Sequence, residues 1–489
     1  MDTPIAAGTL QPGHNVWRIE TARRAAVIVD AENYFGIARA AMGRAQHRIM
    51  LIGWDFDARI DLGDSAADSG PATVGDFILW LVDRTPGLQI YILRWDIGAL
   101  KSFVRPTTMV KLAQWMLHPQ VEVRLDSAHP TGSSHHQKIV VIDDCFAFCG
   151  GIDMTDGRWD TRQHRDDDPG RIGPGGDANM PWHDATSAIE GPAAAALGAL
   201  GRLRWERAGG AELPPVEAGT DCWPDHLPVD FTDVRIGIAR SEPEMPDWPA
   251  TLEIEQLYLD MIARARRSIY AESQYFASRR VAEAIAHRLE EADGPDIVII
   301  NPLTADGWLE PIAMDSARAR LFETLRKRDV HGRLRMFHVY TAGGEPIYIH
   351  AKILVIDDTM LKVGSSNLNN RSLRLDTECD VVIDVTQPGN EGCGPAITAI
   401  RDDLIAEHLD LEPAFVAAAL AREPSLIKAI DALRAGNDRL RDYVVPELAD
   451  VEKWLADNEV LDPEGPGEMF EGLSKSGLFR NFHLFGGTA

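Results

Sequence analysis

The stretch HHQKIVVID at residues 135–143, followed by GGID at 150–153, decides the fold of this chain because it is present twice. The second copy reads HAKILVID at residues 350–357, followed by GSSN at 364–367. Both copies follow the pattern His-x-Lys-x4-Asp-x6-Gly-[Gly/Ser]-x-[Asp/Asn]. A single His-x-Lys pair is weak evidence, since polar residues are common at strand ends. Two copies with the same downstream spacing indicate a repeated unit with shared chemistry.

Each motif continues into an apolar, β-branched run that is typical of a buried strand. Side chains on a strand alternate between its two faces, so His136 shares a face with Lys138, and His350 shares a face with Lys352. An imidazole beside an ammonium group at a strand end suits a phosphate group.

The same alternation places Asp143 and Asp357 on the opposite face from the histidines. We therefore expect these aspartates to have a mainly structural role, orienting or pairing within the scaffold of the site rather than contacting substrate. The small residues at 150–151 and 364–366 would let the chain turn tightly and bring backbone N–H groups towards the phosphate. The candidate substrate-binding residues are Gly151, Asp153, Ser365 and Asn367.

Two histidines can divide the work of phosphodiester cleavage, because an unperturbed pKa of about 6.5 leaves both protonation states available near neutrality. One neutral imidazole can attack phosphorus while the other, protonated, gives a proton to the leaving oxygen. The two lysines would stabilise the charge that metal ions stabilise in many other phosphoryl-transfer sites. No carboxylates of metal-binding spacing accompany the motifs, so the sequence predicts neither a metal nor another cofactor. The candidate catalytic residues are His136, Lys138, Asp143, His350, Lys352 and Asp357.

Composition is that of a soluble globular protein, with 489 residues of which 45% are hydrophobic and 25% charged. A formal net charge of −26 disfavours binding to a nucleic-acid backbone, which depends on cationic side chains. No apolar run reaches the roughly 18 residues that a membrane-spanning helix needs, and no secretory signal is visible. Five cysteines, too few and too scattered for a disulfide framework, favour a reducing compartment. We expect a cytoplasmic protein or one peripheral to a membrane.

The order of predicted elements also repeats between the two halves. Amphipathic segments at 31–48 and 255–267 each lead into a strand-like run, at 49–56 and 269–276. Further short strands are predicted at 88–95, 121–125, 297–301 and 334–339. Helices alternating with strands predict an α/β fold with mostly buried sheets. The predicted divisions are an N-terminal lead segment at 1–24, a first catalytic half at 25–207, a Pro/Gly-rich linker at 208–232, a second catalytic half at 233–410 and a helical C-terminal extension at 411–489.

These residues resemble the phospholipase D superfamily, and the resemblance covers roughly residues 25 to 400. Segments outside the motifs resemble the eukaryotic-type phospholipases D in particular. These are GGIDM with GRWD at 150–160, PWHD with GPAA at 181–194, ESQYF at 272–276, and NLNNRS at 367–372 followed by Glu378. Two positions depart from the pattern, since Asp153 stands where the second copy has Asn367, and Ser273 stands where the block often has Asn.

The resemblance implies two similar α-β-α sandwich halves with mixed sheets, related by a pseudo-twofold axis, with the active site between them. It implies a covalent phosphohistidine intermediate with His136 as nucleophile and His350 as general acid. It also implies that Asp184 and Glu378 orient the two histidines, and it leaves open which carboxylate pairs with which histidine.

The sequence therefore predicts a monomeric phosphoric diester hydrolase that acts on phospholipid at a membrane surface. The expected reaction converts a phosphatidylcholine-like lipid to phosphatidate and free headgroup, with water or an alcohol as acceptor. A cardiolipin synthase-like phosphatidyltransferase is the alternative, and a nuclease of the same superfamily ranks below it because of the acidic charge balance. A catalytically inactive binding module is disfavoured by intact His and Lys residues in both motifs.

Overall fold

The computed structural model describes residues 9–63, 69–96, 106–217, 221–305, 314–447 and 462. The first half of the chain contains eight strands and four helices within these residues. In chain order they are β1 (Arg18–Val29), α1 (Ala31–Met42), β2 (Arg48–Gly53), α2 (Val74–Arg84), β3 (Gln89–Trp95), α3 (Pro106–Leu117), β4 (Val121–Asp126), β5 (Ile139–Ile142), β6 (Phe146–Gly150), β7 (Trp182–His183), β8 (Ala185–Glu190) and α4 (Pro192–Arg207).

The second half follows a similar order among the described residues. Its elements are β9 (Phe231–Glu242), β10 (Thr251–Leu252), α5 (Glu253–Arg264), β11 (Ser268–Glu272), α6 (Arg279–Glu290), β12 (Asp296–Ile300), α7 (Ser316–Arg328), β13 (Leu334–Val339), β14 (Tyr348–Ile349), β15 (Ile353–Ile356), β16 (Met360–Gly364), a short π-helix (Arg371–Leu375), β17 (Glu378–Asp384) and α8 (Gly394–Leu409). The chain continues with α9 (Pro413–Arg422), α10 (Leu426–Leu433) and β18 (Leu440–Asp442).

The main sheet is continuous through both halves. From one edge its strands run β18-β13-β12-β11-β15-β16-β17-β9-β1-β8-β6-β5-β2-β3-β4, with β10 attached to β9. The order outward from β9 (β17, β16, β15, β11, β12, β13) repeats the order outward from β1 (β8, β6, β5, β2, β3, β4). In both halves the outer strands are parallel and the inner ones antiparallel, which confirms the predicted mixed α/β class. The predicted pseudo-twofold axis stays a prediction.

The halves meet where β1 and β9 pair antiparallel, so that one sheet takes the place of the two that the sequence suggested. Helices cover both faces of this sheet. On one face a single apolar cluster extends across both halves and includes Leu200 of α4 and Leu404 of α8. On the other face α1 to α3 cover the first half and α5 to α7 cover the second, each with its own cluster. This is the helix–sheet–helix layering expected of an α/β fold.

Strands β5 and β15 are the apolar runs that follow the two motifs, and every residue in them is buried. Each run is paired antiparallel on both edges and has helices over both faces, which explains why these segments are continuously apolar rather than alternating. The helix predicted at 31–48 ends at Met42, and the strand after it begins at Arg48 and ends at Gly53.

The predicted C-terminal extension begins with helices α9 and α10, and the chain then returns to the sheet. Strand β18 pairs antiparallel with β13 at the sheet edge. Residues 448–461 and 463–489 of the predicted extension lie outside the described residues. Asp462 is buried, and its carboxylate accepts hydrogen bonds from Asn369 and from the backbone of Asn370 and Arg371, just after the second motif. The five domain boundaries stay predictions.

No helix among the residues that the structure describes combines the length and the apolar character needed to cross a bilayer.

Candidate active site

The two motifs begin side by side at the junction of the halves. The backbone N–H of His136 donates to the carbonyl of Thr377 at 2.9 Å, and that of His350 donates to the carbonyl of His183 at 2.7 Å. The short parallel pair β7–β14 sets the second of these contacts. Each motif histidine is therefore held beside a segment from the other half.

This crosswise arrangement settles which carboxylate lies on which histidine. His136 Nδ1 is 3.0 Å from Glu378 Oε1 and 3.1 Å from Oε2. His350 Nδ1 is 2.6 Å from Asp184 Oδ2. Both contacts join one half to the other, and the centroids of the two imidazole rings are 6.5 Å apart. Because Nδ1 of each ring contacts a carboxylate, Nε2 is the ring nitrogen that is available to attack phosphorus or to donate a proton.

The two motif lysines lie in the same buried region. Lys138 Nζ donates to the carbonyl of His136 at 2.8 Å and is 3.2 Å from Asp153 Oδ2. Lys352 Nζ donates to the carbonyl of His350 and lies 3.5 Å from Gln274 Oε1. Lys138 is 5% exposed and Lys352 1% exposed. Two ammonium groups so far from bulk water make this region suited to a bound anion.

Burial dominates the ionisation of the site. Burial, and then the positive charge of Lys138 and Lys352, holds the pKa of His136 well below its ordinary value. Burial and the charge of Lys352 have the same effect on the pKa of His350. Burial lowers the pKa of Lys352 to about 7 and raises the pKa of Glu378 to about 8. Both imidazoles are therefore neutral near pH 7 in the empty site, so either has a lone pair for attack.

The small residues after the motifs support the dyads, and their backbone N–H groups do not face a phosphate as predicted. The N–H of Gly151 donates to Ala185 at 2.8 Å, and that of Ser365 donates to Cys379 at 3.1 Å. The Ser365 hydroxyl donates to Glu378. At Gly151 a Cβ atom would lie 2.1 Å from Asp184 Oδ1, so only glycine fits beside that carboxylate.

Asp153 and Asn367 lie beside the two lysines. Asp153 pairs with Lys138, and its Oδ1 accepts the backbone N–H of Trp54 at 3.1 Å. Asn367 Nδ2 donates to Gln274 Oε1 at 3.3 Å, the same oxygen that Lys352 approaches. In each half, therefore, the residue at this position helps to place a lysine, and contact with substrate stays a prediction.

Asp143 and Asp357 do not belong with the catalytic residues, among which the motif placed them. They follow β5 and β15, at the strand ends remote from the histidines. The Asp143 carboxylate accepts the backbone N–H groups of residues 46–48, and Asp357 accepts those of residues 266–268. Each fixes the loop before a neighbouring strand. The geometry thus supports the scaffold role that strand alternation indicated.

Several residues of the site had no role assigned from sequence. Arg158 stacks over the Trp182 ring at 4.1 Å, and its charge lowers the pKa of both His350 and Lys352. Trp182 lies 5.0 Å from the His350 ring, and Trp54 lies 6.5 Å from the His136 ring. Arg158 and Trp182 lie in the blocks at 150–160 and 181–194, which could have drawn attention to them. Trp54 directly follows β2, and no motif marked it.

Comparison with known families agrees with this geometry. The family model described as "Cardiolipin synthase, PLD-like domain" matches residues 258–390, and that described as "Phospholipase D" matches residues 326–457. Both matched ranges contain the second motif together with Glu378. These matches confirm the predicted similarity to the phospholipase D superfamily.

Curated relatives that the chain resembles include plant phospholipases D, which supports the predicted resemblance to the eukaryotic type. The chain is 23% identical to phospholipase D alpha 1 of Carica papaya, over 91% of this chain and 69% of that protein. It is 24% identical to phospholipase D alpha 1 of Nicotiana tabacum, over 76% of this chain and 63% of that protein. The chain thus spans about two thirds of the length of these relatives. Their match across most of the chain supports the predicted enzyme class, a phosphoric diester hydrolase.

The phosphatidylserine synthase of Haemophilus influenzae Rd KW20 is a solved structure with a similar fold. It superposes with a TM-score of 0.54 over 87% of this chain and 98% of that chain, at 14% sequence identity. At this level of identity the similarity shows a common fold.

Proposed function

We propose that this protein is a phospholipase D that hydrolyses the distal phosphodiester of a glycerophospholipid, phosphatidylcholine-like, to phosphatidate and free headgroup. The observation that carries the proposal is the pair of histidine–carboxylate dyads with ring centroids 6.5 Å apart and a buried lysine beside each. Two such dyads can act on opposite sides of one phosphorus, while the lysines neutralise its non-bridging oxygens.

In the first step, Nε2 of His136 attacks phosphorus and the bond from phosphorus to the headgroup oxygen breaks. His350, protonated on Nε2, gives its proton to that oxygen, so the headgroup leaves as an alcohol. The empty site keeps His350 neutral, and a bound phosphodiester anion favours its protonated form because it adds a negative charge to a cationic, buried site. Glu378 orients the His136 ring, and the positive charge that develops on the ring favours the carboxylate form of Glu378, which then stabilises that charge.

In the second step the roles are reversed. Neutral His350 accepts a proton from water, the water oxygen bonds to phosphorus, and the bond between phosphorus and His136 Nε2 breaks. Phosphatidate leaves, and His350 is again protonated for the next turnover. An alcohol that takes the place of water gives a new phosphatidyl ester. Asp184 orients His350 in both steps through the contact at Nδ1.

A phosphatidyltransferase is the second candidate, favoured by the match of residues 258–390 to the cardiolipin synthase family model. It would share the first step and would use the hydroxyl of a second lipid in place of water. Either enzyme reaches its substrate as a monomer at a membrane surface.

A panel of lipid vesicles tests the proposal. The purified chain is incubated with vesicles of phosphatidylcholine, phosphatidylethanolamine or phosphatidylglycerol, with and without a primary alcohol, beside a DNA-cleavage assay. We expect release of choline with formation of phosphatidate, and a phosphatidyl ester of the alcohol when alcohol is present. His136→Ala should abolish release, whereas His287→Ala on the exposed face of α6 should not.

The products distinguish the candidates. Cardiolipin made from phosphatidylglycerol, with little phosphatidate, would select the transferase. DNA cleavage faster than any lipid reaction would overturn both lipid proposals.

A further inference from the structure

A second cluster of ionisable side chains lies directly behind the His350 dyad. Asp30 follows β1, His164 lies in the loop between β6 and β7, His183 ends β7, and Glu407 lies in α8. All four are fully buried. His183 Nδ1 is 2.7 Å from Glu407 Oε1 and 3.4 Å from Asp30 Oδ1, and His164 Nε2 is 3.2 Å from Glu407 Oε1. One ligand atom from each residue lies within 4.8 Å of all the others.

Each histidine of the cluster is held by a carboxylate through its other ring nitrogen. His164 Nδ1 is 2.9 Å from Asp160 Oδ2, and His183 Nε2 is 2.8 Å from Glu272 Oε2. A carboxylate on the outer nitrogen fixes the tautomer and ring orientation of histidines that bind metals. Here it directs the inner nitrogens, Nε2 of His164 and Nδ1 of His183, towards the same point as the two inner carboxylates.

One polar atom of the cluster is left unsatisfied. Asp30 Oδ2 is buried and has no hydrogen-bond partner among the described residues. His164 Nε2 lies 3.9 Å from it, beyond hydrogen-bond distance. A buried carboxylate oxygen without a partner is costly, because it has lost its hydration. A cation at the centre of the cluster would satisfy it.

We propose that Asp30, His164, His183 and Glu407 bind one divalent transition-metal ion, Zn²⁺ being the ion that suits them best. Two imidazole nitrogens and two carboxylate oxygens are donors that such ions accept, whereas Ca²⁺ and Mg²⁺ prefer all-oxygen sites. Four ligands about 2.0–2.2 Å from a tetrahedral ion lie roughly 3.3–3.6 Å from one another. The separations of 2.7 to 3.9 Å in the cluster bracket that value, so small side-chain shifts would complete the site.

The ion has a structural role, outside the phosphate site. His183 precedes Asp184, and its carbonyl accepts the backbone N–H of His350. Glu407, by contrast, comes from α8 near the end of the second half. An ion bound by all four residues would therefore fix α8 to the segment that carries Asp184, and with it the orientation of His350. This role does not depend on which phosphodiester the enzyme cleaves.

An ion-pair network without metal is the competing account of the same residues. Without an ion, both histidines hold a second proton. Burial lowers the pKa of His164, but the carboxylates of Asp30, Asp160 and Glu407 outweigh this effect and raise it to about 9. Replacing those two protons with one divalent ion leaves the local charge unchanged. Charge balance therefore does not distinguish a bound metal ion from an ion-pair network, whereas the metal content of the purified protein does.

The test is the metal content of the full chain, purified without a histidine tag and desalted, by plasma mass spectrometry. We expect about one transition-metal ion per chain, retained through gel filtration. His164→Ala and Glu407→Gln should each lower the content at least tenfold, and His287→Ala on exposed α6 should retain it.

Refolding of the wild-type chain keeps the test decisive if those variants do not fold. After denaturation in a chelator, refolding with Zn²⁺ should restore one bound ion and raise the thermal midpoint above that of chain refolded in chelator, because an ion that binds only the folded state stabilises it. Metal below about a tenth of an equivalent in both preparations would overturn the proposal and leave an ion-pair network only. One equivalent of calcium would overturn the choice of ion.

Discussion

We expect the rate of this enzyme to depend on the charge of Lys352 and therefore to fall above pH 7. Burial of Lys352 lowers its pKa to about 7, with Lys138 and Arg158 adding to the effect. If Lys352 must be charged to stabilise the phosphorane-like transition state, kcat/KM falls as pH rises through this value. With a pKa of about 7, roughly one molecule in ten keeps the charge at pH 8, so kcat/KM should fall about tenfold per pH unit above 7.

Lys352 should affect stability in the opposite direction, so that the folded state becomes more stable as the rate falls. A lysine whose pKa is lower in the folded than in the unfolded chain binds fewer protons when folded between pH 7 and 10. Its contribution to the free energy of unfolding therefore increases across that window. Loss of rate above pH 7 with an unchanged or higher thermal midpoint would thus point to Lys352 rather than to unfolding.

The assay is kcat/KM between pH 5.5 and 9 on a soluble short-chain phosphodiester, whose single charge is constant over about this range. Lys352→Arg should move the loss of rate above pH 9, since a guanidinium stays charged up to about pH 12. Its planar shape should lower the maximal kcat/KM, because it does not reproduce the geometry of an ammonium group. Lys327→Arg on exposed α7 is the matched control. Two results would refute this role of Lys352: a wild-type kcat/KM that stays constant up to pH 9, or a Lys352→Arg variant whose kcat/KM falls at the same pH as that of the wild type.

The remaining predictions concern other groups of the site. His136→Ala should abolish covalent labelling by any substrate, whereas His350→Ala should lose about 10²–10⁴ in rate on lipids yet still attack a p-nitrophenyl phosphodiester, whose leaving group needs little protonation. The second variant should then accumulate a phosphohistidine on the peptide of His136, and mapping of the adduct to His350 would exchange the two roles. Gly151→Ala should reduce kcat about 100-fold, because its Cβ would displace the Asp184 carboxylate that holds His350. Gly36→Ala, where a Cβ meets no atom within 4 Å, is its control, and equal rates for the two variants would contradict the argument. Brief EDTA treatment should leave turnover unchanged, because the motif lysines supply the charge at the phosphate and the proposed metal cluster is buried. Immediate loss restored by one metal would place that metal at the phosphate instead.

Strand alternation and motif spacing were sufficient to predict much of the site. They placed His136 with Lys138 and His350 with Lys352, and they separated Asp143 and Asp357 from the histidines. These predictions depend only on the direction of side chains along one strand, which follows from the positions of the residues in the sequence.

The pairing of carboxylates with histidines could not be predicted, because it depends on how the halves meet. Glu378 follows the second motif in sequence, yet it lies on His136, and Asp184 lies on His350. The backbone N–H groups of Gly151 and Ser365 were misjudged for a related reason. They are used by neighbouring strands, whose register no local pattern specifies.

The proposed metal cluster depends even more strongly on contacts between residues that are distant in the sequence. Asp30, His164, His183 and Glu407 lie far apart in the sequence and share no spacing that marks a metal site. An ion at this cluster would depart from the expectation of no metal that the sequence supports. Only the folded sheet, with α8 covering the junction, brings these four side chains together.

The pairing of β1 with β9 has a consequence for how this enzyme could have arisen. Each half supplies one histidine and the carboxylate that completes the other half's dyad, so half a chain has the parts of a site but no finished dyad. A half-length ancestor that associated with itself through its β1 edge would place its own aspartate where Glu378 now lies, and two equal dyads would result. Duplication and fusion of that gene would then free each copy to diverge, as Gly151 with Asp184 and Ser365 with Glu378 have done. Such a fusion would have joined the two copies at the predicted linker, residues 208–232.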